Sequence, residues 1–485
     1  MDYLYQIFLL LPLLNFLVIF LKKGEGEIDM NFSLSVSKLL SLISLAFLIG
    51  ISTRQNVNIT SLFSFNEYFT LKFIFNKGSI LIAYAIAIMW VSLLFYVEKI
   101  HEVKGLYYDI NSFLKYLPIS ILAINMLNFS FTIYSAIFFY SIAILLFLII
   151  LLKHLTSVSP GREIFYKAFF LSQILMLFVV LVLAGKYSAV VDAANGTFPL
   201  EHSSRKASSL IFGLLCTILL VNFIAPIFYI FRNKVNNENF NILTGFFINF
   251  GIAQILFLKY LAEIFFGIGI FSDLLGSYAI SIVQTTFICS IIASLVLLVF
   301  TKNISKIFFL ILYNQISLTM LAVFVDFMQD GVLTSGLIFA FIMFIVLFFM
   351  VLNNLILYME CLKISDLSGS FSHFKINIII VGFCFLNLAS LFPPAVLNSV
   401  DLILLTRELK FNTTTLVIVT NSVVLLLIGL KILLPTLQFD GRDEEGERDD
   451  DLADQQEAGK IDFSSKLTLT PAVIMFTMAI SSFLI

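Results

Sequence analysis

Apolar runs of about 20 residues, the length that spans a bilayer as a helix, recur from one end of this chain to the other. The runs begin at Tyr3–Leu21, Phe32–Ile51 and Ser79–Val97. Phe113–Leu152 is about twice the length of one span, so it reads as two helices joined by a tight turn. Further runs lie at Ile164–Ala184, Ser208–Phe231, Phe240–Phe257, Ser277–Phe300, Ile304–Phe324, Leu333–Leu357, Ile376–Leu405, Thr413–Leu434 and Leu467–Ile485. Hydrocarbon offers no partner for a free backbone N–H or C=O, so such runs must be helices packed on one another. The expected fold class is therefore an all-α polytopic membrane protein of about 14 spans.

Composition supports this. Of 485 residues, 60% are hydrophobic and 12% charged, about half the charge of a soluble domain. That excludes a soluble enzyme, and with a net charge of −2 it excludes a nucleic-acid binder. Cys216, Cys289, Cys361 and Cys384 stand singly in apolar runs, with no C-x-x-C or His pairing, so no metal, disulfide or thiol redox chemistry is expected. No Gly-rich phosphate loop or haem-ligand pair occurs, and no cofactor is expected. The first run is followed by Lys22-Lys23 and lacks a small-residue cleavage site, which reads as a retained helix rather than a signal peptide.

Lysines and arginines in short loops set orientation. With loops alternating sides, Lys22, Lys23, Lys99, Lys104, Lys115, Lys153, Arg162, Lys167, Arg232, Lys234, Lys302, Lys306, Lys363 and Lys375 fall together, and Arg54, Lys72, Lys77, Lys186, Arg205, Lys206, Lys259, Arg407 and Lys410 fall opposite. The bias places both termini outside, in the periplasm of a bacterial inner membrane. One segment differs from the rest: positions 440–460, DGRDEEGERDDDLADQQEAGK, are acidic with little to bury. This reads as a solvated, disordered cytoplasmic loop, either a tolerated insertion or a docking loop for a partner.

Proline positions add a constraint. Pro226 falls inside Leu214–Phe231, and Pro393 and Pro394 fall inside Ile376–Leu405. A proline within a helix removes a backbone hydrogen bond and breaks or kinks it. Paired breaks at matching places in two halves mark a transport path in transporter folds; a simple kink is the plainer reading.

The motifs around these breaks carry a resemblance. Leu243-Thr244-Gly245-Phe246-Phe247-Ile248-Asn249-Phe250-Gly251 is similar to L-A-G-I-L-L-K-x-G. Asn303-Ile304-Ser305-Lys306, followed by Asn314-Gln315, resembles D-I-K-R…S-x-x-Q, and Asp366-Leu367-Ser368-Gly369 resembles D-L-G-G. Ala389-Ser390-Leu391-Phe392-Pro393-Pro394, with Ser399-Val400-Asp401, resembles A-S-L-x-x-P followed by S-K-D. Val221-Asn222 with Pro226 resembles V-K…P, and Asn128…Tyr134 resembles N-N-L-L-L-x-Y. Together and in this order they resemble the antiporter-like proton-channel family, the large membrane subunits of NADH:quinone oxidoreductase and of Mrp-type cation/proton antiporters.

The resemblance implies two inverted five-helix repeats, each with a Pro-broken helix. They would occupy 113–258 and 259–435, after N-terminal helices in 1–112, with the acidic loop at 436–466 and a last helix at 467–485. It also implies partners, namely other membrane subunits of a multisubunit complex, with protons or sodium ions as cargo, and it makes the chain a non-redox subunit. The departures concern charge. The family's helix-seven lysine falls near Asn222 or Val221, its helix-eight lysine on Asn249, its helix-five glutamate on Phe138, and its helix-twelve charge on Val400 or Asp401. Its helix-eleven histidine and lysine fall near Ala340 and Phe344. Asparagine holds water but does not titrate, so proton translocation is expected to be degraded, or lost in a chain kept as a scaffold.

The remaining ion-path candidates are Asp401, Asn249, Asn222, Lys306 and Lys167. Asp401 reads equally as a retained carboxylate or a helix-end acid. Lys306 reads as a path residue or a snorkelling cation, and Lys167 as a path residue or an interfacial anchor. Lys259 and Glu263 are spaced to pair on one helical face, as an interfacial salt bridge. Asp326 and Asp330 close a helix and are expected to be solvated. A stand-alone secondary transporter or lipid-linked flippase is the alternative; Gln173, Asn222, Asn249, Gln254 and Gln284 would then supply its polar site.

Overall fold

The computed structural model describes residues 3–22, 27–53, 58–64, 70–104, 107–154, 248–262, 276–327, 334–359, 363–368, 375–388 and 413–437, with isolated positions near 171–178 and at 471. The described chain begins with α1 (Tyr3–Leu21), α2 (Glu27–Ser52), a hairpin of β1 (Asn58–Ser64) and β2 (Thr70–Phe75), α3 (Lys77–Lys104), α4 (Tyr107–Asn128) and α5 (Ile133–His154). It continues with α6 (Ile248–Ala262), α7 (Gly276–Phe300), α8 (Ile304–Phe327), α9 (Thr334–Met359), a 3-10 turn at Ile364–Leu367, α10 (Lys375–Leu388) and α11 (Thr413–Leu437). Among the described residues, seven helices are long and apolar enough to cross a membrane. The long run at 113–152 is divided, as its length requires, by a turn at Phe129–Thr132.

Helix ends fall where the sequence supplies caps. Asn76 Oδ1 accepts the Ser79 N–H at 2.7 Å to start α3, and Asn303 Oδ1 accepts that of Lys306 at 3.1 Å to start α8. The last carbonyls of α7 are met from another helix: Lys431 Nζ, on α11, donates to Val299 O and Thr301 O at 3.1 and 3.2 Å.

The hairpin was not expected in an all-α chain. Its strands are antiparallel, pairing Asn58 with Phe75 and Ser64 with Thr70. Phe73 and Phe75 are buried on one face, with Ile74 between them turned partly outward. β2 is also bonded to the α4–α5 turn, through Ile74 N to Phe129 O (2.8 Å) and Phe131 N to Lys72 O (2.9 Å). This second partner satisfies backbone groups on the free edge of β2. Phe75 stacks on Phe129 with centroids 4.3 Å apart and meets Tyr5 at 4.5 Å, so α1 closes over the same cluster.

The hairpin defines one end of the bundle. α6 runs antiparallel to α5, since Phe250 stacks on Phe147 and Phe257 on Tyr140, and the Tyr260 hydroxyl reaches Phe131 O at the hairpin end. α8 starts at the opposite end, where Asn303 bridges to Lys363. It finishes at the hairpin end, where α9 begins beside Gly78. α3 and α9 therefore run in the same direction, in direct contact along their length. Two glycines allow close approach. A Cβ on Gly78 would strike the Ser335 hydroxyl, and one on Gly251 would strike the Ile316 side chain, so α3–α9 and α6–α8 pack almost backbone to side chain. The loop lysines Lys22, Lys302 and Lys363 cluster at the end away from the hairpin, and Lys72 and Lys77 lie at the hairpin end, consistent with alternating loops.

The proline breaks expected at Pro226, Pro393 and Pro394, the acidic segment and the last apolar run lie outside the described residues.

Candidate functional site

Three of the buried polar clusters among the described residues are built from neutral side chains on the interior helices. At mid-depth, Asn314 on α8 donates to Ser294 Oγ on α7 and to Asn421 Oδ1 on α11, both at 2.9 Å, and accepts from Gln315 Nε2 at 3.2 Å. Ser290 and Ser317 bond alongside at 2.8 Å. Nearer the end away from the hairpin, Tyr96 on α3 donates to Asn354 Oδ1 at 2.7 Å and accepts from Asn353 Nδ2 at 3.0 Å, and Asn354 reaches Asn377 on α10 at 3.4 Å. The third is on α5 and α6, where the Tyr140 hydroxyl bonds Gln173 at 3.3 Å and Gln254. A buried amide in a membrane helix finds a partner on a neighbouring helix, and these clusters do so across α3, α7, α8, α9, α10 and α11.

Of the path candidates, Asn249 lies on α6. It is buried, and both its side-chain polar atoms lack a partner among the described residues. Gly251 and Ile316 fix the level of α6 against α8, so Asn249 and Asn314, each two residues earlier, lie at about the same depth. Lys306 sits in the first turn of α8, half-buried, away from mid-depth. Asp401, Asn222 and Lys167 lie outside the described residues. Phe138 is 45% exposed, on an outward stripe of α5 with Leu145 and Ile149. Tyr140, two residues on, is a buried polar position of that helix. Ala340 and Phe344 are buried within α9.

One expectation about charge is corrected. Asp326 is not solvated: it is fully buried, and its Oδ2 accepts the Thr334 hydroxyl at 2.7 Å across the α8–α9 connection. Lys259 is buried within α6, and Glu263, four residues on, lies outside the described residues. The sequence reading misses Asp326 because its partner belongs to the next helix. It also passes over Asn353, Asn354 and Asn421, although an asparagine inside an otherwise unbroken apolar run is itself the signal.

Between the polar clusters, α9 is dry. From Leu337 to Leu352 every side chain is apolar and buried. At 1.5 Å per residue this covers about 24 Å of a hydrocarbon core about 30 Å thick. Phe348 stacks on Phe308 of α8 at 5.5 Å and meets Phe385 of α10 edge-on at 5.7 Å, closing a phenyl wall across three helices. No group of three or more potential metal ligands occurs among the described residues.

No family model and no curated protein matches the chain. Solved structures do. A chain of the membrane-bound sulfane sulfur reductase (MBS), an archaeal respiratory membrane complex, superposes with a TM-score of 0.69 over 97% of this chain and 75% of its own, at 14% identity. The fold is that of a multi-pass membrane protein. A chain of the Mrp complex from Dietzia sp. DQ12-45-1b gives a TM-score of 0.63 over 99% of this chain and 93% of its own, at 12% identity. The likeness to these two complexes is one of fold and runs almost end to end.

Proposed function

We propose that the chain is a membrane subunit of a multisubunit complex of the Mrp or MBS kind, and that it keeps the fold of a proton-translocating subunit while its own proton path is interrupted. The dry length of α9 carries this reading. A lateral path through the bundle needs groups that exchange protons or hold water, and Leu337–Leu352 offers neither. The mid-depth amides support it further. Asn249, Asn314, Gln315 and Asn421 can hydrogen-bond a water chain, but none can carry the charge step that toggles a neighbouring pKa. The two five-helix repeats, the breaks at Pro226, Pro393 and Pro394, and a bacterial inner-membrane setting with both termini periplasmic belong to the same proposal.

The test is purification of the chain with its partner subunits and measurement of sodium and proton flux in vesicles. Wild type is compared with Asp401→Asn and with Asn249→Leu. Unchanged flux in both variants, with the complex intact, is the expected result. Loss of flux in either would restore this subunit to the path. The second reading, a stand-alone transporter, is favoured by the convergence of Asn314, Gln315 and Asn421 from two helices at mid-depth. Substrate uptake by the lone chain in liposomes, with no copurifying subunit, would decide for it.

A further inference from the structure

The cluster of Tyr96, Asn353, Asn354 and Asn377 is buried on α3, α9 and α10, but its hydrogen bonds do not close on themselves. The order of donors and acceptors along it is fixed. The Tyr96 proton goes to Asn354 Oδ1, so Asn353 presents its Nδ2 to the phenol oxygen and its own oxygen is left over. Asn354 then turns its Nδ2 to Asn377, which presents its oxygen and is left with its own N–H groups. Asn353 Oδ1 and Asn377 Nδ2 are accordingly buried with no hydrogen-bond partner among the described residues. Buried amide groups in native proteins are met by protein or by ordered water.

The open atoms define the chemistry of a ligand. One accepts and the other donates. A cation would face the Asn377 N–H and an anion the Asn353 oxygen, so the seat suits a neutral group that both donates and accepts. Glu98 lies two residues past Tyr96, on the other side of α3, where it pairs with Lys38 of α2. Position defines the way in. Asn377 is two residues from the start of α10, and Asn354 and Asn353 are five and six from the end of α9. At 1.5 Å per residue the cluster lies about 3–9 Å below those helix ends, under the exposed Lys375. On its inner side the apolar stretch of α9 begins at once, with Leu352.

We infer that this cluster binds water, seated against Asn353 Oδ1 and Asn377 Nδ2, entering from the end away from the hairpin and stopping at Leu352. The water completes the bonding that Tyr96 orders and ties α10 to the α3–α9 pair. A buried water holds its place when it has several polar partners, and these amides supply them. The site does not depend on the complex proposed above and is tested on the full chain alone.

The test is radiolytic oxidation of the purified chain in lipid nanodiscs, read residue by residue by mass spectrometry. Hydroxyl radicals formed from water react before they travel far, so a buried side chain is oxidised where water lies beside it. Met350 and Met343 are the internal comparison. They share one face of α9, two turns apart, and are 0% and 2% exposed. Met350 is at the cluster, its carbonyl 3.0 Å from the Tyr96 hydroxyl, and Met343 is in the dry stretch. Oxidation several-fold faster at Met350 than at Met343, with labelling of Tyr96, is the expected result. An Asn353→Leu, Asn377→Leu double variant brings Met350 down to the Met343 rate. If that variant does not fold, a high-resolution map of wild type takes its place: density within hydrogen-bond distance of either open atom supports the site, and both atoms bonded to protein groups overturn it. Equal rates at Met350 and Met343 in wild type, or an unchanged Met350 rate in the folded double variant, would also overturn it.

Discussion

Tyr96→Phe removes one oxygen from the centre of the bundle and is the sharpest test of its packing. The phenol donates one proton, to Asn354 Oδ1 at 2.7 Å, and accepts one from Asn353 Nδ2 at 3.0 Å. The Met350 carbonyl, also 3.0 Å away, competes for the same proton. Two hydrogen bonds are therefore lost, not three. Interhelical bonds within a membrane average about 0.6 kcal/mol and reach about 1.7, so the pair contributes about 1–3 kcal/mol. The upper half of that range is expected, because Tyr96, Asn353 and Asn354 are all buried and the two amides are left without this partner. The assay is unfolding of the purified chain in mixed micelles, followed by the fluorescence of Trp90, the chain's single tryptophan, itself buried on α3. Asn354→Leu alone and combined with Tyr96→Phe completes a cycle. A Tyr96→Phe variant as stable as wild type, or a double variant equal to the sum of the singles, would refute the claim that this cluster joins α3 to α9.

Further outcomes follow from other contacts. Gly251→Leu drives a side chain into Ile316 and should cost about 1–3 kcal/mol, most of it recovered by Ile316→Ala in the same unfolding assay. Lys431→Met leaves Val299 O and Thr301 O without their donor and should lower stability by about 1 kcal/mol; Lys431→Arg should retain it. Phe75→Ala opens a cavity between Tyr5 and Phe129 and should cost about 3–5 kcal/mol, with faster proteolysis between α2 and α3. Thr334→Val removes the hydroxyl from Asp326 and should destabilise by about 1–3 kcal/mol, whereas Thr334→Ser should not.

The helices were legible because bilayer length and apolar composition leave one solution, and the bounds of α7, α8 and α9 follow the apolar runs closely. The hairpin was not. Its strands are short, Lys72 interrupts the apolar pattern, and the partner that completes β2 lies more than 50 residues further on. The site was legible in part. Asn249, buried on α6, could be singled out from one motif, whereas the burial of Asp326 depends on a hydroxyl supplied by the next helix. A shift of two residues on α5 separates the exposed phenyl of Phe138 from the buried phenol of Tyr140, a distinction that a motif without its helical phase does not carry.

The pairing of α3 with α9 also sets a timetable for synthesis. Tyr96 must wait for Met350, 254 residues later, before its hydroxyl finds its neighbours. At the usual pace of a ribosome, about 5–20 residues per second, that is a delay of roughly 13–50 seconds. During it α3 sits in the bilayer with a polar group aimed at lipid or at a temporary companion. The first helices of this chain are thus inserted long before they are finished, and an insertase or an early-arriving subunit that shelters the Tyr96 face would govern how much of the protein matures.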